Sequence, residues 1–142
     1  MQTFLTYPSF TETARCLDYK RLGKQRVEAK QIYLALTKKN YGWKNHPAVK
    51  MWRGSELSLL CYGASMCYEW RMRGYEDSLY RWFLRAISKH RTKGDENTVP
   101  SWFFSRRFHQ AHRSNLVRKD WRHYRKYFPR IKNNLPYIWP VK

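Results

Sequence analysis

Residues 17–38 read LDYKRLGKQRVEAKQIYLALTK, and this stretch decides the fold. Asp18 stands where a helix needs a side-chain acceptor for its first free N–H groups. Leu22, Ala29, Ile32, Tyr33 and Leu36 then recur at the 3.6-residue spacing of one helical face. The spacing predicts a helix from Asp18 to about Lys38. Gly23 in its first turns costs about 1 kcal/mol against alanine, which points to a close approach by another backbone or a phosphate. Glu28 sits on the shoulder of the apolar stripe, among Lys20, Arg21, Lys24 and Arg26.

Outward from this helix the pattern stays helical. The first ten residues, with Pro8, read as an extended arm. Thr11 is a candidate cap for a short helix to about Cys16. Asn45 caps another, with Pro47 in its first turn. Ser55 opens a longer helix with Leu57, Leu60, Cys61, Ala64, Cys67 and Tyr68 on its inner face, ended by Gly74. A helix from about Glu76 to Lys89 turns Leu79, Trp82, Phe83 and Ile87 inward. After a loop from Arg91 to Pro100, short helices are expected over 102–108, 109–118 and 121–127. The tail from Ile131, with Pro136 and Pro140, should lie extended over the body. Strand signals are weak, so the expected class is all-α: one compact helical bundle spanning 1–142, with an extended N-terminal arm and C-terminal tail.

Charge bounds the function. The chain of 142 residues carries 29 Lys and Arg against 10 Asp and Glu, a net +19. Such a surface calls for a polyanion, and nucleic acid neutralised at its phosphates is the expected partner. No stretch approaches the roughly 18–20 apolar residues of a membrane span, and Met1–Phe10 lacks the features of a signal peptide. Aromatic residues make up 18 % of the chain, and several alternate with cations, as in residues 121–128. That interleaving suits phosphate contact and base stacking. Three cysteines without a CxxC pair read as core residues of a protein in a reducing compartment.

Two clusters could carry chemistry. Glu28 is either half of an ordinary helical ion pair or a carboxylate held in a positive groove, able to stabilise a developing sugar cation or move a proton. His109 and His112 share a helix face at i and i+3. They could meet DNA phosphates or, with Asp120 as a third ligand, hold a catalytic metal. Arg107, Arg113 and Arg118 flank them. A non-catalytic basic binding module and a metal nuclease built on His109 and His112 are therefore both open readings.

The pattern from Leu17-Asp18-x-Lys20-x-Leu22 to Glu28 resembles the pyrimidine-dimer DNA glycosylases of the endonuclease V type. Asn45-His46-Pro47, Arg71-x-Arg73-Gly74-Tyr75 and the C-terminal His-rich helix with its Trp/Tyr/Lys run are similar to a bacterial and phage branch of that family. The resemblance implies a compact all-helical enzyme without cofactor or metal. Its nucleophile is the α-amine of the first residue, and it needs a glutamate on the first long helix. Carried over, these are Met1 and Glu28, since the bulk of Gln2 disfavours removal of Met1. An α-amine has a reference pKa of about 7.7–8.0, so a useful fraction is neutral at physiological pH. The implied reaction is excision of a damaged or modified pyrimidine through an imine, followed by abasic-site lyase cleavage. Lys20, Arg21, Lys24, Arg26, Arg107, Arg113 and Arg118 would hold double-stranded DNA, with His109 and His112 beside them. His46 would line the site, and Trp121 and Tyr124 would wedge or stack. The protein is expected to act as a monomer in the cytoplasm of a bacterial or phage-infected cell. For the imine to form, the arm Met1–Pro8 must fold inward to the helix bearing Glu28, anchored by Phe4 or Leu5.

Overall fold

The computed structural model describes residues 1–96 and 98–141. Seven α-helices and no strands occur among the described residues. They are α1 (Phe10–Cys16), α2 (Tyr19–Thr37), α3 (Pro47–Lys50), α4 (Glu56–Met72), α5 (Tyr80–Thr92), α6 (Arg106–Lys119) and α7 (Trp121–Tyr124), with a 3-10 turn at Ser101–Phe104 before α6.

α2 begins and ends where its sequence says. Asp18 caps it, accepting from Arg21 N at 3.3 Å. The buried stripe is Leu22, Gln25, Ala29, Ile32 and Ala35, with Tyr33 and Leu36 at its half-buried edge. Gln25, a polar side chain in the middle of that stripe, is buried against the backbone of the N-terminal arm. Gly23 does admit a close neighbour, but it is the Trp70 indole of α4, whose ring would lie 3.1 Å from a Cβ at that position.

α4 is the hub, packing against α1, α2 and α5. Helices on several sides bury more than one face of it: Leu57, Ser58, Leu59, Leu60, Tyr62, Gly63, Met66 and Cys67. A single amphipathic stripe is the expectation for a helix at the surface and not for one enclosed by neighbours. The inner face is therefore rotated and widened from the expected one, and Tyr68 is 52 % exposed.

Several boundaries differ from expectation for identifiable reasons. Ser9, not Thr11, caps α1, its Oγ accepting from Glu12 N at 3.1 Å. His46, not Asn45, caps α3 through its ring Nδ1. α5 starts at Tyr80 rather than Glu76, because Asp77 accepts from Tyr80 N and pairs with Arg26. Residues 106–119 form one helix capped by Ser105, since nothing at Phe108–His109 interrupts it. α7 is only one turn long. In the loop read from Arg91 to Pro100, α5 persists to Thr92, and Asn97 lies outside the described residues.

The C-terminal segments tie back to the first helices. The buried Tyr124 hydroxyl donates to Asp18 Oδ1 and accepts from Asp18 N at 3.0 Å. Burial alone would raise the Asp18 pKa, but hydrogen bonds from Tyr124 and Arg21 hold it below the usual carboxylate value. The tail does lie over the body. Leu135 N donates to Ser114 Oγ at 3.0 Å. Arg118 Nη1 donates to the carbonyls of Asn133 and Leu135 at 2.8 and 2.9 Å.

Gly63 sets the α4–α5 distance, since a Cβ there would sit 2.2 Å from the Phe83 ring. Gly63→Ala should destabilise the fold by about 1–3 kcal/mol through overpacking. Gly42→Ala, with nothing within 4 Å of its Cβ, should change stability little. Urea unfolding of both variants checks the contrast, and equal midpoints would show that Phe83 can retreat.

Candidate active site at the N-terminal arm

The arm folds inward. Phe4 and Leu5 are buried, and Met1 and Gln2 are half-buried. No strand lies beside it among the described residues, so side chains serve its backbone. Gln25 of α2 donates from Nε2 to Gln2 O at 3.0 Å and accepts at Oε1 from Phe4 N at 3.0 Å. The Tyr62 hydroxyl of α4 lies 2.7 Å from Phe4 O and 2.6 Å from Gln25 Oε1, with one proton to share between them. His112 Nδ1 of α6 accepts from Leu5 N at 2.9 Å, and His109 Nδ1 lies 3.0 Å from Leu5 O. Arg113 donates to Thr6 O at 2.6 Å. Trp52 Nε1 anchors the Thr3 hydroxyl at 2.9 Å.

The arm ends against Glu28. Gln2 N donates to Glu28 Oε2 at 2.9 Å. The Met1 amine is one residue further along the backbone, which puts it within about 7 Å of that oxygen. Together they line a cavity of about 280 Å³ with Phe4, Lys20, Arg21, Lys24, Gln25 and Lys119. A second, more apolar groove of about 430 Å³ runs over the other side of the Lys20–Lys24–Glu28 ridge, on Tyr19, Val27 and Trp70. Glu28 enters no ion pair among the described residues; its close partners are the Gln2 amide and, at 3.4 Å, Gln25 Nε2. A carboxylate held by an amide and surrounded by cations keeps a face free to meet positive charge developing on a ligand.

His46 stands beside this pair. Its Nδ1 accepts from Ala48 N at 3.0 Å, which leaves the proton of the neutral ring on Nε2. Burial and the positive chain terminus lower its pKa, while Glu28 pulls it upward. The tail closes the same region. Tyr137 stacks on His112 with centroids 5.1 Å apart, and Trp139 meets the His46 ring edge-on at 5.9 Å. Burial pushes the Tyr137 phenol well above its ordinary pKa; the Gln2 side chain lowers it and the Glu28 charge raises it.

The expected site residues divide. Met1, Glu28, Lys20, Arg21 and Lys24 come together at the cavity, with Arg21 also paired to Asp18 at 3.1 Å. Arg107 and Trp121 are exposed. Arg107 lies twelve residues along α6 from Lys119, roughly 18 Å away. Several of the expected DNA contacts are engaged within the fold. Arg26 is sequestered by Asp77 and packs its guanidinium 4.8 Å from the Trp70 ring. Tyr124 is buried on Asp18 and cannot wedge or stack. His109 and His112 are buried under the arm, and Arg113 is turned inward to Thr6 and the Tyr7 ring. Arg118 spends Nη1 on the tail, although the residue stays exposed.

The same contacts occupy the two histidines of the metal reading. Both nitrogens of His109 face carbonyl oxygens, of Leu5 and of Phe103 at 2.7 Å. His112 Nδ1 is taken by Leu5 N, so its ring proton lies on Nε2, a buried atom without a hydrogen-bond partner. Asp120 accepts from His123 N as the cap of α7. No group of three or more metal-ligating residues forms among the described residues. Gln2, Gln25, Lys119, Tyr137 and Trp139 escaped the sequence reading. Only Gln25 left a signal, as a polar residue on a buried stripe one turn before Glu28.

A family model described as pyrimidine dimer DNA glycosylase matches residues 1–81, more than half of the chain. The matched span holds the arm, Gln25, Glu28 and His46, and ends before α6 and the tail. No curated protein and no solved structure matches the chain.

Burial, reinforced by His109, pushes the His112 pKa from its usual 6.5 down to about 3. The folded protein therefore refuses a proton that the unfolded chain accepts, so stability is complete above pH 6.5 and falls as the pH drops towards 3. This one group should remove up to about 1.4 kcal/mol per pH unit in that window. His112→Asn, which keeps an acceptor but does not titrate, should flatten the slope of unfolding free energy against pH. An unchanged slope would place the acid sensitivity elsewhere.

Proposed function

Because the chain belongs to the pyrimidine dimer DNA glycosylase family, we propose that it excises a damaged or modified pyrimidine from double-stranded DNA by using the Met1 α-amine and Glu28. The supporting observation is the 2.9 Å hydrogen bond from Gln2 N to Glu28 Oε2, which brings the chain terminus against the carboxylate at the floor of a basic cavity.

The chemistry follows from that placement. The neutral amine donates its lone pair to the sugar C1′. The glycosidic C–N bond breaks, its electron pair leaves with the base, and the base takes up a proton. Glu28 accepts the proton released by the amine, and its charge stabilises the cationic sugar as the bond breaks. Opening of the C1′–O4′ bond, with O4′ taking up the proton that Glu28 received, then gives the protonated imine. Loss of a C2′ proton with departure of the 3′ phosphate accounts for abasic-site lyase cleavage. Lys20, Lys24 and Lys119 surround the reacting centre and neutralise the flanking phosphates. Gln25 and Tyr62 act as positioning residues, because they fix the backbone that carries the amine. Arm and carboxylate are thus pre-set before DNA arrives, which is the condition for efficient attack.

Two variants separate the roles. An uncleaved N-terminal extension turns the amine into an amide, and should abolish both base excision and borohydride trapping while DNA binding survives. Glu28→Gln keeps an acceptor for Gln2 N and removes a negative charge from the cavity. It should bind DNA at least as well as wild type, yet lose about 10²–10⁴-fold in excision rate, as expected for a proton-transfer group. A panel of duplexes bearing a photodimer, an oxidised pyrimidine or a glucosylated hydroxymethylcytosine identifies the base. Full turnover by the extended protein overturns the amine mechanism.

A further inference from the structure

Trp43 stands in the turn between α2 and α3, 61 % exposed and with φ of +71°. It is the one non-glycine residue with positive φ among the described residues. That backbone region disfavours a side chain, and glycine is the residue that adopts it freely. Gly42 is the adjacent residue, yet the left-handed position is filled by the largest side chain available.

The turn is held and not loose. His46 N donates to Trp43 O at 2.9 Å. The Trp43 and His46 rings meet edge to face at 5.8 Å, and His46 meets Trp139 in the same way at 5.9 Å. These contacts fix where the indole stands without burying it. They also connect it to the reaction centre, because His46 lies close enough to the chain terminus and Glu28 to respond to both charges. The surroundings suit a polyanion. Lys38, Lys39 and Lys44 share the turn, and no acidic residue occurs between Glu28 and Glu56. A large apolar ring presented to water among lysines, one ring contact away from His46, matches the inside of a base stack flanked by phosphates.

We propose that Trp43 is a wedge that enters the stack of duplex DNA next to the target nucleotide and holds open the gap through which C1′ reaches the cavity. The role rests on the glycosylase reading above, since chemistry on a stacked nucleotide requires it to leave the helix. Apolar side chains inserted between base steps do this elsewhere by unstacking and kinking the duplex. Backbone strain at Trp43 then serves to aim the ring.

Trp43→Gly tests the wedge, because it removes the ring and relieves the backbone together. Thermal stability should be equal to or above wild type. Borohydride trapping is then compared on one abasic-site sequence presented as duplex and as single strand. The variant should lose about tenfold or more on the duplex, the scale of a lost base–aromatic stack, and little on the single strand. Trp43→Phe should recover part of the duplex rate. A 2-aminopurine placed beside an abasic site should brighten on binding Glu28→Gln protein and stay dark with the Glu28→Gln/Trp43→Gly double variant, a readout that needs no turnover. If wild type traps duplex DNA and Trp43→Gly traps it equally, the wedge is overturned and the amine mechanism stands. If wild type traps neither substrate, the amine mechanism fails, and the 2-aminopurine signal still decides the wedge. Equal losses on both substrates, or a lower melting temperature for Trp43→Gly, overturn the proposal in favour of a general contact or a structural role.

Discussion

Gln2 to Thr6 run through the protein with no neighbouring strand among the described residues, and the backbone hydrogen bonds of that segment organise the rest of the molecule. A buried N–H or C=O left unpaired costs about 1–3 kcal/mol, so helices must deliver side chains to it. α2 sends Gln25, α4 sends Tyr62, and α6 sends His109, His112 and Arg113. Three helices are thereby locked to one arm. Gln25 is the centre of this arrangement, since its single amide group serves both Gln2 and Phe4 and lies beside Glu28.

The same constraint shapes the site. Asp18, Glu69, Asp77 and Asp95 each pair with a basic side chain. Glu28 is bound instead by the Gln2 amide, at the point where the arm emerges into the cavity. A cation close upon the carboxylate would quench its charge, whereas an amide orients it. Lys20, Lys24 and Lys119 stand around the cavity, where they favour an anionic ligand. Self-repulsion from a net +19 opposes folding, and a polyanionic partner relieves it.

Histidine and tyrosine show how far local pattern reaches. His109 and His112 have the spacing of a metal pair or a phosphate-binding face, yet both rings turn inward to Leu5, more than a hundred residues away in sequence. Tyr124 belongs to a basic and aromatic run that suits DNA, yet its hydroxyl closes on Asp18, again more than a hundred residues distant. Arg26 sits on the cationic helix beside Lys24, but the turn before α5 brings Asp77 to it. In each case the side chain has chemistry for two partners, and the buried one prevails because leaving that partner unpaired costs more than giving up a solvent-facing contact.

The sequence by itself determined the helical class, the span of α2 with its Asp18 cap, the extended arm and tail, and the positive surface. These follow from signals that act over one or two turns: apolar spacing, capping groups and net charge. It also marked Glu28, the rare carboxylate on a cationic helix. Only the tertiary structure decided that Gln25 would be a backbone surrogate, that the tail would bring Tyr137 and Trp139 to His46, and that α4 would be buried on more than one side. Those outcomes depend on which elements enclose a side chain. A hydrogen bond from residue 5 to residue 112 leaves no periodicity for a sequence to show.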